Sequence, residues 1–285
     1  MNGIEICETE KGRIEYFHAG TGPTVLIVHG GHDSCRGDYM KQALIDRNFS
    51  VLIPSRPGYR GTPICSGKTA QSTADLFAAL LNKLEIKKVI VIGNSAGGPA
   101  ALEFAKRYPD IVEKLVLESA IVKPWFHKLT FQYYGARVIF NPEKQGKFWQ
   151  NLSNKLYKNP EKTLVNTMKL FTKRDPAAVI ARMSAEDLEQ LKGAMITGND
   201  SGEGFVHDIE HRAKNINTIQ CPTLIIHSKN DASVPFSHAQ YAHTMIQDSV
   251  LFEAPTDSHF LYFGPGSKEV LDKRMEFITA GGTKP

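Results

Sequence analysis

Cysteine is scarce and scattered: the 285 residues hold only Cys7, Cys35, Cys65 and Cys221, none in C-x-x-C spacing. That excludes a disulfide framework or a thiolate metal knuckle as the organising device, and a chain this long buries enough surface to stand without either. The four read as free thiols. An excess of one charge is also missing. With 34 basic and 30 acidic residues the net charge is +4, too small for a nucleic-acid footprint, so no nucleic-acid partner is expected. Nowhere do 18 apolar residues run together, and the opening MNGIEICETEKGRIEYF mixes charges early instead of building an apolar signal core. Neither a spanning helix nor a signal peptide is predicted, and a cytoplasmic protein is expected. Internal repeats and low-complexity tracts are absent too.

What is present is a series of short aliphatic runs. Ile4 to Thr9 and Arg13 to Ala19 alternate apolar and polar residues about Lys11-Gly12 and read as a hairpin. Val25 to Val28, Val51 to Ile53, Val89 to Ile92, Leu115 to Leu117, Leu224 to Ile226 and Val250 to Phe252 have instead the composition of strands buried on both faces. A parallel sheet covered by helices is predicted. Ser72-Thr73-Ala74-Asp75 reads as a capping box before the helical stripe Leu76, Phe77, Leu80, Leu81, Leu84. A second helix is expected from Pro99 to Arg107, stopped by Pro109, and a C-terminal one from about Lys268 to Ile278.

Gly93-Asn94-Ser95-Ala96-Gly97 is a G-x-S-x-G pentapeptide between an expected buried strand and an expected helix. Its glycines suit a sharp, strained turn that lifts Ser95 from the carboxyl edge of the sheet as a nucleophile; the competing reading is a plain glycine-rich turn that binds phosphate. A serine hydroxyl is a weak nucleophile, so it needs an imidazole base, and the imidazole needs a carboxylate to set its tautomer. His259 follows the Val250-Leu251-Phe252 run, and Asp231 follows the Leu224-Ile225-Ile226 run. Both are therefore placed at the edge that carries Ser95. Glu118, at the end of its own run, is the rival acid. Asp257 is too near His259 in sequence to reach the far ring nitrogen, and His227, His238 and His243 read as structural or surface residues. For the oxyanion hole the expected donors are the N–H groups of Ala96 and of Gly31, the latter in His29-Gly30-Gly31-His32.

These residues resemble the α/β-hydrolase superfamily, in particular its serine-nucleophile, esterase-like members with a helical cap. H-G-G, G-N-S-A-G-G, D-A-S-V-P and Ser55-Arg56-Pro57-Gly58-Tyr59-Arg60-Gly61-Thr62-Pro63 carry the resemblance over most of the core. It implies an α/β-hydrolase fold, a Ser-His-Asp triad, a small-molecule ester as substrate, and neither cofactor nor metal. Ser228 and Ser258 stand where such proteins often have glycine. Carbon–carbon bond hydrolases share the G-N-S-x-G-G form, but their H-G-S-G-P-G loop is missing here. They stay as an alternative, as do thioesterases, lactonases and amidases. From another class, a non-catalytic small-molecule sensor on the same fold is possible.

From about 121 to 215 the strand runs give way to aromatics spaced among lysines: Trp125, Phe126, Phe131, Tyr133, Tyr134, Phe140, Phe148, Trp149, Tyr157, Phe171. This reads as a helical cap inserted into one core made of 1–120 and 216–285. Residues 121–175 hold eleven Lys or Arg against three Asp or Glu. Solvated helix faces account for that excess; the alternative is weak contact with a membrane surface or steering of anionic substrates. His207-Asp208-Ile209-Glu210-His211 has imidazoles at a spacing that suits a metal, but with no third ligand it reads as a surface helix of the cap.

Overall fold

The computed structural model describes residues 3–125, 131–197 and 202–281. Eight strands form one sheet in the order β1-β2-β4-β3-β5-β6-β7-β8: β1 (Gly3–Thr9), β2 (Gly12–Ala19), β3 (Thr24–Val28), β4 (Ser50–Pro54), β5 (Val89–Asn94), β6 (Val112–Glu118), β7 (Thr223–His227) and β8 (Ser249–Glu253). The β1–β2 hairpin pairs antiparallel and β2 lies antiparallel to β4, whereas every pairing from β4 through β3 to β8 is parallel.

Alternation along the strands sorts the core into two layers. Leu26, Val28, Val91, Leu115, Leu117 and Ile225 point to one face, where they meet α2 (Ala70–Lys83), α3 (Gly98–Arg107) and α10 (Ser237–Met245). Val25, Ile27, Ile90, Ile92, Val116, Leu224 and Ile226 point to the other, under α1 (Lys41–Ile45) and α11 (Ser267–Thr279). Burial on both faces is why these runs are continuously aliphatic. The Val250-Leu251-Phe252 run departs from that expectation: β8 is the sheet's last strand and Val250 is 52% exposed, because an edge strand has a neighbour on one side only.

Helix α2 also starts earlier than the Ser72 reading has it. Thr69 is the N-cap: its Oγ1 accepts the Ser72 N–H, and Ser72 Oγ accepts the Thr69 N–H. Asp75 cannot serve a cap at Ser72, since Arg107 and Tyr108 take its carboxylate. Helix α3 carries Pro99 in its first turn and ends at Arg107.

Between β6 and β7 the chain is helical: α4 (Phe131–Ile139), α5 (Gln145–Lys158), α6 (Pro160–Met168), α7 (Pro176–Ala181), α8 (Ala185–Thr197) and α9 (Gly204–Asp208). Leu156, Leu164, Met168, Val179, Ile180, Met183, Leu191 and Met195 form a small core of their own, against which Phe260 and Phe263 from the sheet side pack. Lys144, Lys147, Lys155, Lys158, Lys162 and Lys169 are all exposed. Trp149 and Tyr133 are buried, whereas Tyr134 and Tyr157 face solvent; Phe126 and the Phe131 side chain lie outside the described residues. Among the described residues no helix is long and apolar enough to cross a membrane.

Parallel register brings the carboxyl ends of four strands level. Asn94 of β5 pairs with Glu118 of β6, Glu118 with Ile226 of β7, and Ile226 with Phe252 of β8. The loops that leave β5, β7 and β8 therefore open on one rim.

Candidate active site

Ser95 is the first residue beyond β5 and opens a short 3-10 turn into α3. Its φ of +47° is the left-handed strain expected of a sharp strand-to-helix turn. The turn is tight because backbone crosses backbone: a Cβ on Gly97 would lie 2.4 Å from the Val28 carbonyl oxygen and 2.5 Å from that of His29. Glycine alone allows that approach.

The three side chains named from sequence meet at this rim. Ser95 Oγ lies 3.0 Å from His259 Nε2, and His259 Nδ1 lies 2.7 Å from Asp231 Oδ2. Asp231 is fully buried, and its Oδ1 accepts the N–H groups of Ser233 and Val234 at 2.8 Å each. Burial alone would raise this carboxyl, but the imidazoles of His259 and His227 outweigh it and hold Asp231 below the usual carboxylate range. It is thus a carboxylate, and the Nδ1–H tautomer of His259 follows, leaving Nε2 free to take the Ser95 proton.

The rival groups are engaged elsewhere. Glu118 is buried near Arg274, 3.7 Å away, and accepts from Asn94 Nδ2. Asp257 pairs with Arg174 and Arg182. His227 is buried, bonds the Val234 carbonyl at 2.8 Å, and stands 3.2 Å from Asp231. His238 is buried and accepts the Val122 N–H, while His243 lies on an exposed surface against Ser249. The serines in place of glycine need no special backbone, for neither has positive φ. Ser228 Oγ donates to the Thr256 carbonyl, and Ser258 Oγ accepts the Phe260 N–H.

Of the two expected oxyanion donors, Ala96 is buried one residue past Ser95. Gly30 N–H is spent on Tyr39 Oη at 2.9 Å, whereas Gly31 N–H has no protein partner among the described residues. A Cβ on Gly31 would lie 3.6 Å from that of Ala96 and 2.9 Å from the Phe205 ring. Gly31 and Ala96 are therefore neighbours, and the Phe205 ring of α9 lies over Gly31. Ser95 and His259 are each only 9% exposed. A cavity of 490 Å³ among Gln145, Trp149, Gln150 and Ser153 touches none of these residues.

Two features were invisible in the sequence. First, the segment after α6 is stitched into the loops that carry the acid and the base: Phe171 O accepts the His259 N–H at 2.8 Å, Thr172 bridges to Asp231, and Lys173 N–H bonds the Asn230 carbonyl. Second, the H-D-I-E-H stretch is no surface helix. Helix α9 ends at Asp208, which is 3% exposed and bound by Arg56 and Tyr59. Nothing in local spacing marks a pair 152 residues apart. No group of three potential metal ligands occurs among the described residues.

A family model described as alpha/beta hydrolase fold matches residues 23–264. An uncharacterized hydrolase of Bacillus subtilis, YcgS, is 32% identical over 96% of this chain and 98% of its own. A 2-hydroxy-6-oxononadienedioate/2-hydroxy-6-oxononatrienedioate hydrolase of Paraburkholderia phymatum is 26% identical over 78% of this chain and 76% of its own. Among solved structures, an alpha/beta hydrolase fold protein from Nakamurella multipartita superposes with a TM-score of 0.83 at 25% identity, covering 98% of this chain and 100% of that one.

Proposed function

Since the chain belongs to the alpha/beta hydrolase fold family and is a hydrolase of it, we propose that it is a serine-type carboxylic-ester hydrolase working through Ser95, His259 and Asp231. The observation that carries this reading is the unbroken line of contacts from Ser95 Oγ to His259 at 3.0 Å and on to buried Asp231 at 2.7 Å. His259 Nε2 takes the Ser95 proton as Oγ attacks the ester carbonyl. The oxyanion accepts from the N–H groups of Ala96 and Gly31, each worth about 3 kcal/mol in such sites. His259 then protonates the leaving alkoxide, and a water activated by the same ring releases the acid. This chemistry asks for no metal or cofactor. We further propose that residues 121–215 cap a core made of 1–120 and 216–285, and that the protein acts in the cytoplasm on small molecules.

A second reading, carbon–carbon bond hydrolysis, is favoured by the 26% identical relative and by the Gly93 to Gly98 stretch. It uses the same residues on a vinylogous diketone. The test pairs fluorophosphonate labelling of wild type and Ser95→Ala with turnover of short p-nitrophenyl esters and of a dienoic diketone. Labelling lost in Ser95→Ala with ester turnover supports the esterase; diketone turnover without ester turnover supports the second reading. Labelling that persists in Ser95→Ala sinks both, and binding without turnover points to a sensor.

A further inference from the structure

The guanidinium of Arg56 is 1% exposed and the chemistry above does not use it. Its Nε donates to the His29 carbonyl and its Nη2 to the Gly30 carbonyl, each at 2.9 Å. The Gly30 carbonyl also accepts His29 Nδ1 at 2.8 Å, and His29 Nε2 in turn accepts the Arg56 backbone N–H at 2.9 Å. Burial, with the Arg56 charge, holds His29 well below the ordinary histidine range, so the ring is neutral and the chain of bonds has one consistent direction. The far edge of the guanidinium grips both oxygens of Asp208 at the end of α9, three residues beyond the Phe205 ring that lies over Gly31.

The peptide between Gly30 and Gly31 is planar and trans, so its C=O and N–H point in opposite directions. Whatever holds the Gly30 oxygen also aims the Gly31 N–H, and a cation on the oxygen further polarises that N–H. We propose that Arg56 is a positioning residue for the oxyanion hole: by holding the His29 and Gly30 carbonyls it turns the Gly31 N–H toward the reacting carbonyl. Through Asp208 it makes that orientation depend on docked α9, so the roof and the hole assemble together. The inference rests on the acyl-transfer reading.

Wild type, Ser95→Ala, Arg56→Lys and Arg56→Gln are compared by active-site titration with a fluorophosphonate, by p-nitrophenyl acetate hydrolysis, and by inhibition with an aryl trifluoromethyl ketone, whose serine adduct carries the oxyanion. The expected result is a kcat per titrated site lower in the Arg56 variants by at least about tenfold, and by up to the roughly 100- to 1,000-fold of losing one donor outright. KM stays within about threefold, and the ketone Ki rises by the same factor as kcat falls. Variants that melt earlier yet keep wild-type kcat per titrated site and wild-type ketone Ki overturn the proposal. Should both variants fail to fold, a crystal structure of the phosphonylated wild type decides. The phosphoryl oxygen is expected within about 3.1 Å of Gly31 N with the Gly30 oxygen still on Arg56; an oxygen held by other donors overturns the role. A wild type that neither labels nor hydrolyses overturns the acyl-transfer reading and this one with it, whereas labelling at Ser95 with unaffected Arg56 variants overturns this one alone.

Discussion

Replacing Asp231 by asparagine changes one atom in a site whose hydrogen bonds leave the new side chain little choice. Oδ1 is held by the N–H groups of Ser233 and Val234 at 2.8 Å, so the amide oxygen must stay there and the NH2 must face His259. Turning the amide over would set its NH2 against the half-buried Ser233 N–H and the buried Val234 N–H and strand both, at about 1–3 kcal/mol each. His259 Nδ1 then becomes an acceptor, the ring proton moves to Nε2, and Nε2 presents a donor to Ser95 where catalysis needs a base. The imidazolium formed in the transition state also loses its counter-charge. A kcat loss of about 10⁴, or about 5 kcal/mol of barrier, is expected with KM nearly unchanged. His227, 3.2 Å from the same carboxylate, keeps its bond to Val234, so the fold should survive. The assay is p-nitrophenyl acetate hydrolysis normalised to folded protein by far-UV circular dichroism. A folded Asp231→Asn retaining more than about a tenth of wild-type kcat would refute the reasoning, because the wrong tautomer costs far more than that.

Burial, with the Lys123 charge behind it, lowers His238 from 6.5 to about 4. Between those values the unfolded chain binds a proton that the folded one refuses, so stability falls on acidification by about 1.4 kcal/mol per pH unit. His238→Asn, which still offers an acceptor to the Val122 N–H, should shrink the stability lost between pH 7 and pH 5 by about 2 kcal/mol in urea unfolding; an unchanged difference would count against a neutral buried ring. Gly97→Ala drives a methyl into the Val28 and His29 carbonyls and should cost about 1–3 kcal/mol and lower kcat, checked by melting temperature and turnover. By contrast Gly193, exposed in α8 with no atom of the described residues within 4 Å of a Cβ, should accept alanine with a gain of about 0.5–1 kcal/mol and no change in kcat. A loss of stability there would mean that a side chain at position 193 meets a neighbour.

Much of this architecture is legible one segment at a time. The aliphatic runs mark β3 to β7 because a strand buried on both faces can tolerate little else, and Gly93 to Gly97 marks a sharp turn because side chains would strike backbone there. The order of Ser95, Asp231 and His259 behind three such strands is enough to expect them at one rim, since parallel register levels their carboxyl ends. Legibility weakens wherever the deciding contact is remote. Helix α2 starts before the Ser72 box because Thr69 and Ser72 form a cap of equal chemistry one turn earlier, while Asp75 is drawn off by Arg107. The exposed half of β8 follows from its place at the sheet edge, which its own residues do not announce. The H-D-I-E-H stretch looks like solvated helix until Asp208 meets Arg56 inside the protein.

Local chemistry, carried by neighbours in sequence, thus determined the strands, the strained turn at Ser95 and the candidate nucleophile, base and acid. Tertiary structure alone decided the roof of Phe205 over Gly31, the seam of Phe171 and Thr172 against the loops of His259 and Asp231, and the guanidinium behind the Gly30 carbonyl. Those contacts draw their strength from exclusion of water between segments far apart in sequence, and a buried ion pair such as Arg56 with Asp208, 152 residues apart, is written in the sequence only as two ordinary charged residues.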